Sequence, residues 1–198
     1  FNRIKTEDIS GHLAYMAKEE NVTFEPEALH IIAQKADGGL RDACSIFDQM
    51  VAFTGNHLTY KQVVDNLNVL DYDYYFRITD GFAENNLPLI MITFDDILKK
   101  GFDAHNFLIG LGEHLRNLLV CKDPQTITLL EISESLKQRY SEQSQKCSLQ
   151  FLLKALTLIS KTDVNYKSAK NQRLLVEMAL MQLTFLTASA DAEKKKLN

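Results

Sequence analysis

The chain has 198 residues, a formal net charge of −4, 45% hydrophobic and 24% charged residues, and only 8 Gly and 3 Pro. That composition excludes a disordered chain, and so few turn formers exclude a β-sandwich or barrel, which needs a turn signal about every ten residues. The length allows one domain or two small ones, and the expected fold class is all-α.

Phe1 stands where a start methionine would and no apolar run follows it, so the chain reads as a piece of a longer protein without a signal peptide. Thr6, with Glu7 and Asp8 after it, reads as the cap of a first helix whose apolar side is Ile9, Leu13, Met16 and Ala17. Pro26 starts a second, with Ala28, Leu29, Ile32, Ala33 and Ala36 at helical spacing and a stop at Gly38. A third runs from about Leu40 through Ala43, Phe47, Met50 and Val51 to Gly55. Thr59 and Gln62 form a capping box for a short fourth through Val63 and Leu67. The aromatic run Tyr72, Tyr74, Tyr75, Phe76 then changes the character of the chain, and a domain boundary is expected between about 66 and 71.

Beyond it, six helices are expected near 71–85, 87–100, 103–120, 133–144, 148–162 and 166–187, forming one bundle. The most apolar stretch, Leu174 to Ala190, is interrupted by Glu177 and Gln182 and falls short of the roughly 20 residues of a membrane span, so it reads as a buried helix. Its apolar positions Leu174, Leu175, Met178, Ala179, Leu180, Met181, Leu183 and Leu186 nevertheless cover more than one core-facing stripe, so part of that surface is expected to meet another subunit. The end, 189–198, with Lys194, Lys195 and Lys196, reads as a disordered or frayed tail.

Charge is unevenly spread. Residues 1–66 hold 6 basic and 10 acidic side chains, and 67–198 hold 16 of each. Lys137 to Arg173 carries eight basic residues against Glu142 and Asp163, either a solvated helix face or a footprint for an acidic partner or nucleic acid. Cys44, Cys121 and Cys147 contain no C-x-x-C pair, so neither a disulfide framework nor a zinc site is indicated, which suits a reducing cytoplasm.

No G-x-x-x-x-G-K-[ST] loop occurs, and Gly110 and Gly112 sit inside a helical pattern, where they serve close helix packing. The histidines His12, His30, His57, His105 and His114, and the acidic pairs Asp95–Asp96 and Asp71–Asp73, show no metal or catalytic spacing, so catalytic residues and metal ligands are both expected to be none. One position breaks a local rule. Arg41 falls in the first turn of the third helix, at the positive end of its dipole, after Gly38 and Gly39. A guanidinium fork at a glycine-preceded helix start is a competent partner for phosphate oxygens, and an ion pair with Asp37, Asp42 or an acid of the first helix is the structural alternative.

The run Ala28-Leu29, Ile32-Ala33, Ala36, Gly38, Leu40-Arg41-Asp42-Ala43, Ser45 and Asp48-Gln49 resembles the lid motif of bacterial DNA polymerase III gamma/tau, the clamp-loader ATPase subunits of the AAA+ class. Phe1-Asn2-Arg3-Ile4 is similar to the segment after that family's ATP-binding domain, and Asn171 to Leu183 to the last helix of its collar; Cys44 stands where a larger aliphatic is common. The resemblance implies a three- to four-helix lid over 1–66 and a helical collar, the oligomerisation domain, over 67–188. It implies that Arg41 is the sensor 2 residue, reaching the ATP γ-phosphate in the intact subunit, with Gly38, Gly39 and Leu40 as adjacent backbone. ATP and Mg belong to the intact subunit, an ATPase of the polymerase III holoenzyme, and none is expected on this piece. The implied role is nucleotide sensing and subunit assembly in a motor that loads the sliding clamp on primed DNA during replication. The implied partners are the other clamp-loader subunits through the collar, and the clamp and DNA only in the intact complex. Self-association is a further expectation, no membrane contact is expected, and the place is the cytoplasmic, nucleoid-associated replisome of a bacterium. The competing reading is a free-standing helical adaptor that binds an acidic partner or nucleic acid through 137–173.

Overall fold

In a computed structural model the described residues are 4–67, 69–130 and 132–196, with side chains to Leu186. They form ten α-helices, one 3-10 turn and two two-residue strands, an all-α protein. The chain divides into two compact units, Phe1–Val69 with Glu131–Leu136, and Leu70–Leu130 with Lys137–Asn198.

The first unit packs α1 (Thr6–Glu19), α2 (Pro26–Lys35), α3 (Leu40–Thr54) and α4 (Tyr60–Leu67). Their apolar spacings converge on one core: Ile9 and Leu13 of α1, Leu29 and Ile32 of α2, Phe47 of α3 and Val63 of α4 are almost fully buried. Thr6 is not a cap. It is the first helical residue, and Lys5 stands at the N-cap, its side chain making no capping hydrogen bond. The capping box of α4 forms as its residues predict, with the Thr59 amide donating to Gln62 Oε1 at 3.1 Å and the Gln62 amide to Thr59 Oγ1 at 3.3 Å.

Two short strands had no period-2 signal. β1 (Thr23–Phe24) and β2 (His57–Leu58) pair in parallel, tying the α1–α2 link to the α3–α4 link. Ser133 and Ser135 donate their hydroxyls to the Glu27 carboxylate in the first turn of α2. These bonds, the Ser135 one foremost, hold that carboxyl below its usual range.

The second unit is a bundle of α5 (Tyr72–Ala83), α6 (Leu87–Lys99), α7 (Ala104–Val120), α8 (Glu134–Lys146, from Lys137 on), α9 (Leu149–Tyr166) and α10 (Gln172–Lys196), with a 3-10 turn at Ile127–Leu129. Polar side chains set the helix starts. Asp71, Asn86, Asp103 and Ser148 each accept a first-turn amide at 2.9 to 3.1 Å. α9 runs to Tyr166 and α10 begins at Gln172, so the expected break between them at 162–166 shifts by one turn or more. Asn171 marks the new start, its side chain accepting from the Leu174 amide at 3.0 Å. Of the tail expected to fray over 189–198, the backbone is helical to Lys196 and the rest lies outside the described residues.

An aromatic cluster fills the bundle: Phe107 lies 5.0 Å from Phe94 and 5.9 Å from Tyr75, ring centre to ring centre. Gly110 makes room for it. A Cβ there would stand 2.1 Å from the Tyr75 hydroxyl, and Tyr75 is itself buried. Alanine at Gly110 should therefore destabilise, because overpacking of about 1–3 kcal/mol outweighs a helix-propensity gain of up to about 1. Gly11 of α1 has open space at its Cβ position. Gly11→Ala should gain roughly 0.5–1 kcal/mol from propensity alone. Opposite shifts in the urea midpoint are the expected result, and two shifts of the same sign would contradict it.

Candidate functional site

The α2–α3 corner places Arg41. Asp37 and Gly38 both adopt left-handed backbone, with φ of 47° and 85°. The Asp37 amide donates to the Gln34 carbonyl at 3.1 Å and the Gly39 amide to the Ala36 carbonyl at 2.9 Å, which reverses the chain at once. Glycine suits the first of the pair of glycines because L side chains rarely adopt that φ. It suits Gly39 for another reason: a Cβ there would meet Asp42 Oδ2 at 2.8 Å and the Ala36 carbonyl oxygen at 3.2 Å. Gly39 is the N-cap of α3 and offers no capping side chain, and Leu40 is the half-buried first residue of the helix.

Arg41 follows at this start and is exposed to solvent. Among the described residues its guanidinium has no ion pair and no hydrogen bond; only its carbonyl is engaged, accepting from Ser45 Oγ at 3.0 Å. The alternative of a pair with Asp37, Asp42 or an acid of α1 is not formed among those residues. Asp42 packs over Gly39, so the helix start is partly taken by a carboxylate. An anion would be met by the reaching guanidinium rather than seated on the first amides. Cys44 sits half-buried with its thiol 3.6 Å from Met16 Sδ, a packing contact between α3 and α1.

Several of the other candidate groups have partners within their own unit. Asp71 caps α5, and Asp73 pairs with Arg139 at 2.6 Å. Asp95 is held between Lys99 at 2.6 Å and Arg173 at 3.0 Å, with Lys99 the main cause of its lowered pKa. His57 shares a 2.7 Å hydrogen bond with Thr23 Oγ1, and His105 meets Asp163 at 2.5 Å with its ring stacked on Tyr166. No group of three or more His, Cys, Asp or Glu could hold a metal among the described residues.

His114 is the one deeply buried histidine of the bundle, and its partners lie in one chain of bonds. Gln143 donates its amide N–H to the Phe76 carbonyl at 2.7 Å, which orients its Oε1 to accept from His114 Nε2 at 2.8 Å. His114 Nδ1 then accepts from the Tyr140 hydroxyl at 3.1 Å. Burial pushes the imidazole pKa down to about 4, so the ring is neutral at pH 7. Lys122 serves the same helix at its end, donating to the carbonyls of Ser144 and Cys147.

The final helix is not buried all round. Leu174, Met178 and Phe185 are exposed and Met181 half-buried, while Val176, Ala179, Leu180 and Leu183 face the bundle. Phe185 was absent from the apolar residues singled out for this surface. The 4-3-4 spacing of positions 174, 178, 181 and 185 is the signal that includes it. Among the described residues no helix is long and apolar enough to cross a membrane.

Two family models together cover the four-helix unit and the six-helix bundle. Residues 8–56 match the family described as DNA polymerase III clamp loader subunit, ATPase lid domain, and residues 58–196 match DNA polymerase III subunits gamma and tau domain III. The chain belongs to this gamma and tau family of clamp-loader subunits. It is 23% identical to the DNA polymerase III subunit tau of Bacillus subtilis over 92% of its own length and 32% of the relative's. It is 25% identical to the subunit gamma of Buchnera aphidicola subsp. Schizaphis graminum over 91% of its length and 50% of the relative's. The chain thus spans a third to a half of these curated relatives. Its fold is similar to the solved structure of the Bacillus subtilis DNA clamp loader delta protein, with a TM-score of 0.57 at 18% identity, covering 92% of this chain and 57% of that one.

Proposed function

We propose that this chain is the nucleotide-sensing and assembly portion of a clamp-loader ATPase subunit that, in a bacterial cytoplasm, loads the sliding clamp on primed DNA. In that reading ATP and Mg are held by a domain ahead of residue 1, and Arg41 reaches from α3 to the γ-phosphate, coupling nucleotide state to lid orientation. The observation that carries it is the exposed guanidinium of Arg41, which has no partner among the described residues at a corner built from two consecutive left-handed residues. An arginine kept only for a structural ion pair would have that pair.

Assembly with the other loader subunits runs through the exposed seam of α10. Met178, 47% exposed, is its most informative member, because a charge there leaves the buried side of the helix untouched. Met178→Glu should weaken association with the other clamp-loader subunits at least tenfold, the cost of truncating a central interface residue being about 1–2 kcal/mol or more. Helicity by circular dichroism should stay unchanged. Equal association of the wild-type and variant chains in sedimentation velocity would remove α10 as the interface.

A further inference from the structure

The eight basic residues between Lys137 and Arg173 do not form one footprint. Arg139, Lys146 and Arg173 are tied to Asp73, Asp80 and Asp95 within the bundle at 2.6 to 3.0 Å, and Arg139 also lies 4.2 Å over the Phe76 ring. Lys154, Lys161, Lys167 and Lys170 remain exposed with no partner among the described residues. Lys167 and Lys170 follow the end of α9, where a cation complements the helix dipole. Lys154 and Lys161 have no such role: they sit mid-helix, two turns and about 10.5 Å apart, with no acid three or four residues away to pair with.

Exposed apolar side chains lie beside them on the same helix, two near its start and one near its end, with the exposed Thr157 and Ser160 between them. Leu149, Leu153 and Val164 are 54%, 51% and 77% exposed. At about 100° per residue they fall within about 60° of one another around the axis, and the two lysines fall within about 20° of each other along one flank. Asp163, the acid of this helix, is turned to His105 at 2.5 Å, so it leaves the lysines uncompensated. Phosphate backbones do not cover leucine and valine, and these positions hold no aromatic ring on which a base could stack.

We propose that the outer face of α9 is a docking site for an acidic amphipathic helix of a partner protein, whose apolar seam lies on Leu149, Leu153 and Val164 and whose carboxylates, two turns apart, meet Lys154 and Lys161. This surface lies on a different helix from the α10 seam, and its proposal does not depend on the clamp-loading reading.

The test uses the 198-residue chain and a stapled 18-residue helical peptide with a leucine seam and glutamates at seven-residue intervals along one flank, together with its lysine-for-glutamate counterpart. Calorimetry should show micromolar binding of the acidic peptide, weakened about tenfold between 50 and 300 mM salt. K154E/K161E should lower that affinity at least tenfold and gain affinity for the lysine peptide, with an unchanged circular dichroism spectrum. Met178→Glu should bind the acidic peptide like wild type, which separates this face from α10. No binding, or equal binding by wild type and K154E/K161E, overturns the proposal. So does a 20-base-pair DNA duplex that binds more tightly than the peptide through the same lysines. Self-association that K154E/K161E abolishes would assign the face to a second copy and overturn it as well.

Discussion

Replacing Arg41 by alanine in the intact clamp-loader subunit should lower the rate of ATP-dependent clamp loading by about 10³-fold while leaving the fold unmoved. The two halves of this expectation have different causes. Arg41 is exposed and pairs with no described group, so its loss should change stability by no more than about 0.5 kcal/mol, the usual range for such a surface position. Its rate effect follows from the proposed contact. A guanidinium on a transferred phosphoryl group commonly contributes about three or more powers of ten, each worth about 1.4 kcal/mol of barrier, and a sensing role falls near the lower end. Arg41→Lys should recover only part of the rate, because an ammonium keeps the charge and loses the planar fork. Single-turnover loading at saturating ATP is the measurement. An unchanged rate for Arg41→Ala would reduce the residue to a solvated side chain.

Acid should destabilise the bundle by about 3 kcal/mol between pH 6.5 and pH 4 through His114 alone. The folded state holds this imidazole near pKa 4, chiefly by burial, against about 6.5 when unfolded. Between those values the unfolded chain binds more protons than the folded one, so stability rises with pH across the window. It is fully present above about 6.5 and lost as pH falls toward 4, at up to about 1.4 kcal/mol per unit. Protonation would place an N–H on Nδ1, where the Tyr140 hydroxyl now donates, so the bond chain to Gln143 and Phe76 breaks at its centre. His114→Gln, which does not titrate, should be less stable at pH 7 yet show a flatter pH dependence. Carboxylates such as Glu27, whose pKa is lowered by Ser135, also lose stability in acid, so the difference between wild type and variant isolates the histidine. Parallel curves of urea-derived stability against pH for the two proteins would contradict the assignment.

Local chemistry made most of the helices legible before any coordinates. Pro26, the Thr59–Gln62 box and the stops at Gly38 and Gly55 act within a few residues of chain, so the sequence alone locates those ends. Thr6 misled because an N-cap is defined by backbone geometry one residue earlier, and an acidic first turn follows either assignment. The all-helical class was likewise determined by residue types and spacing, since apolar periodicity needs no long-range partner, whereas the lid motif around Arg41 was legible only as a resemblance to a known family.

Tertiary structure decided what depends on distant segments meeting. The two-residue strands exist because Thr23 and His57 come together, and no two-residue element carries a periodic signal. Whether Arg41 found an acid, and whether Asp42 would cover the helix start, was settled by the turn at Asp37 and Gly38. The basic run from 137 to 173 looked uniform in sequence, yet three of its members are neutralised by α5 and α6 and two are left bare on α9. Net charge counts residues, whereas an electrostatic surface depends on which of them have already met an opposite charge. Exposure along α10 separated for the same reason: the sequence determined that the helix carries more apolar surface than one stripe, and only packing against the bundle decided that Leu174, Met178 and Phe185 are among the residues left outside.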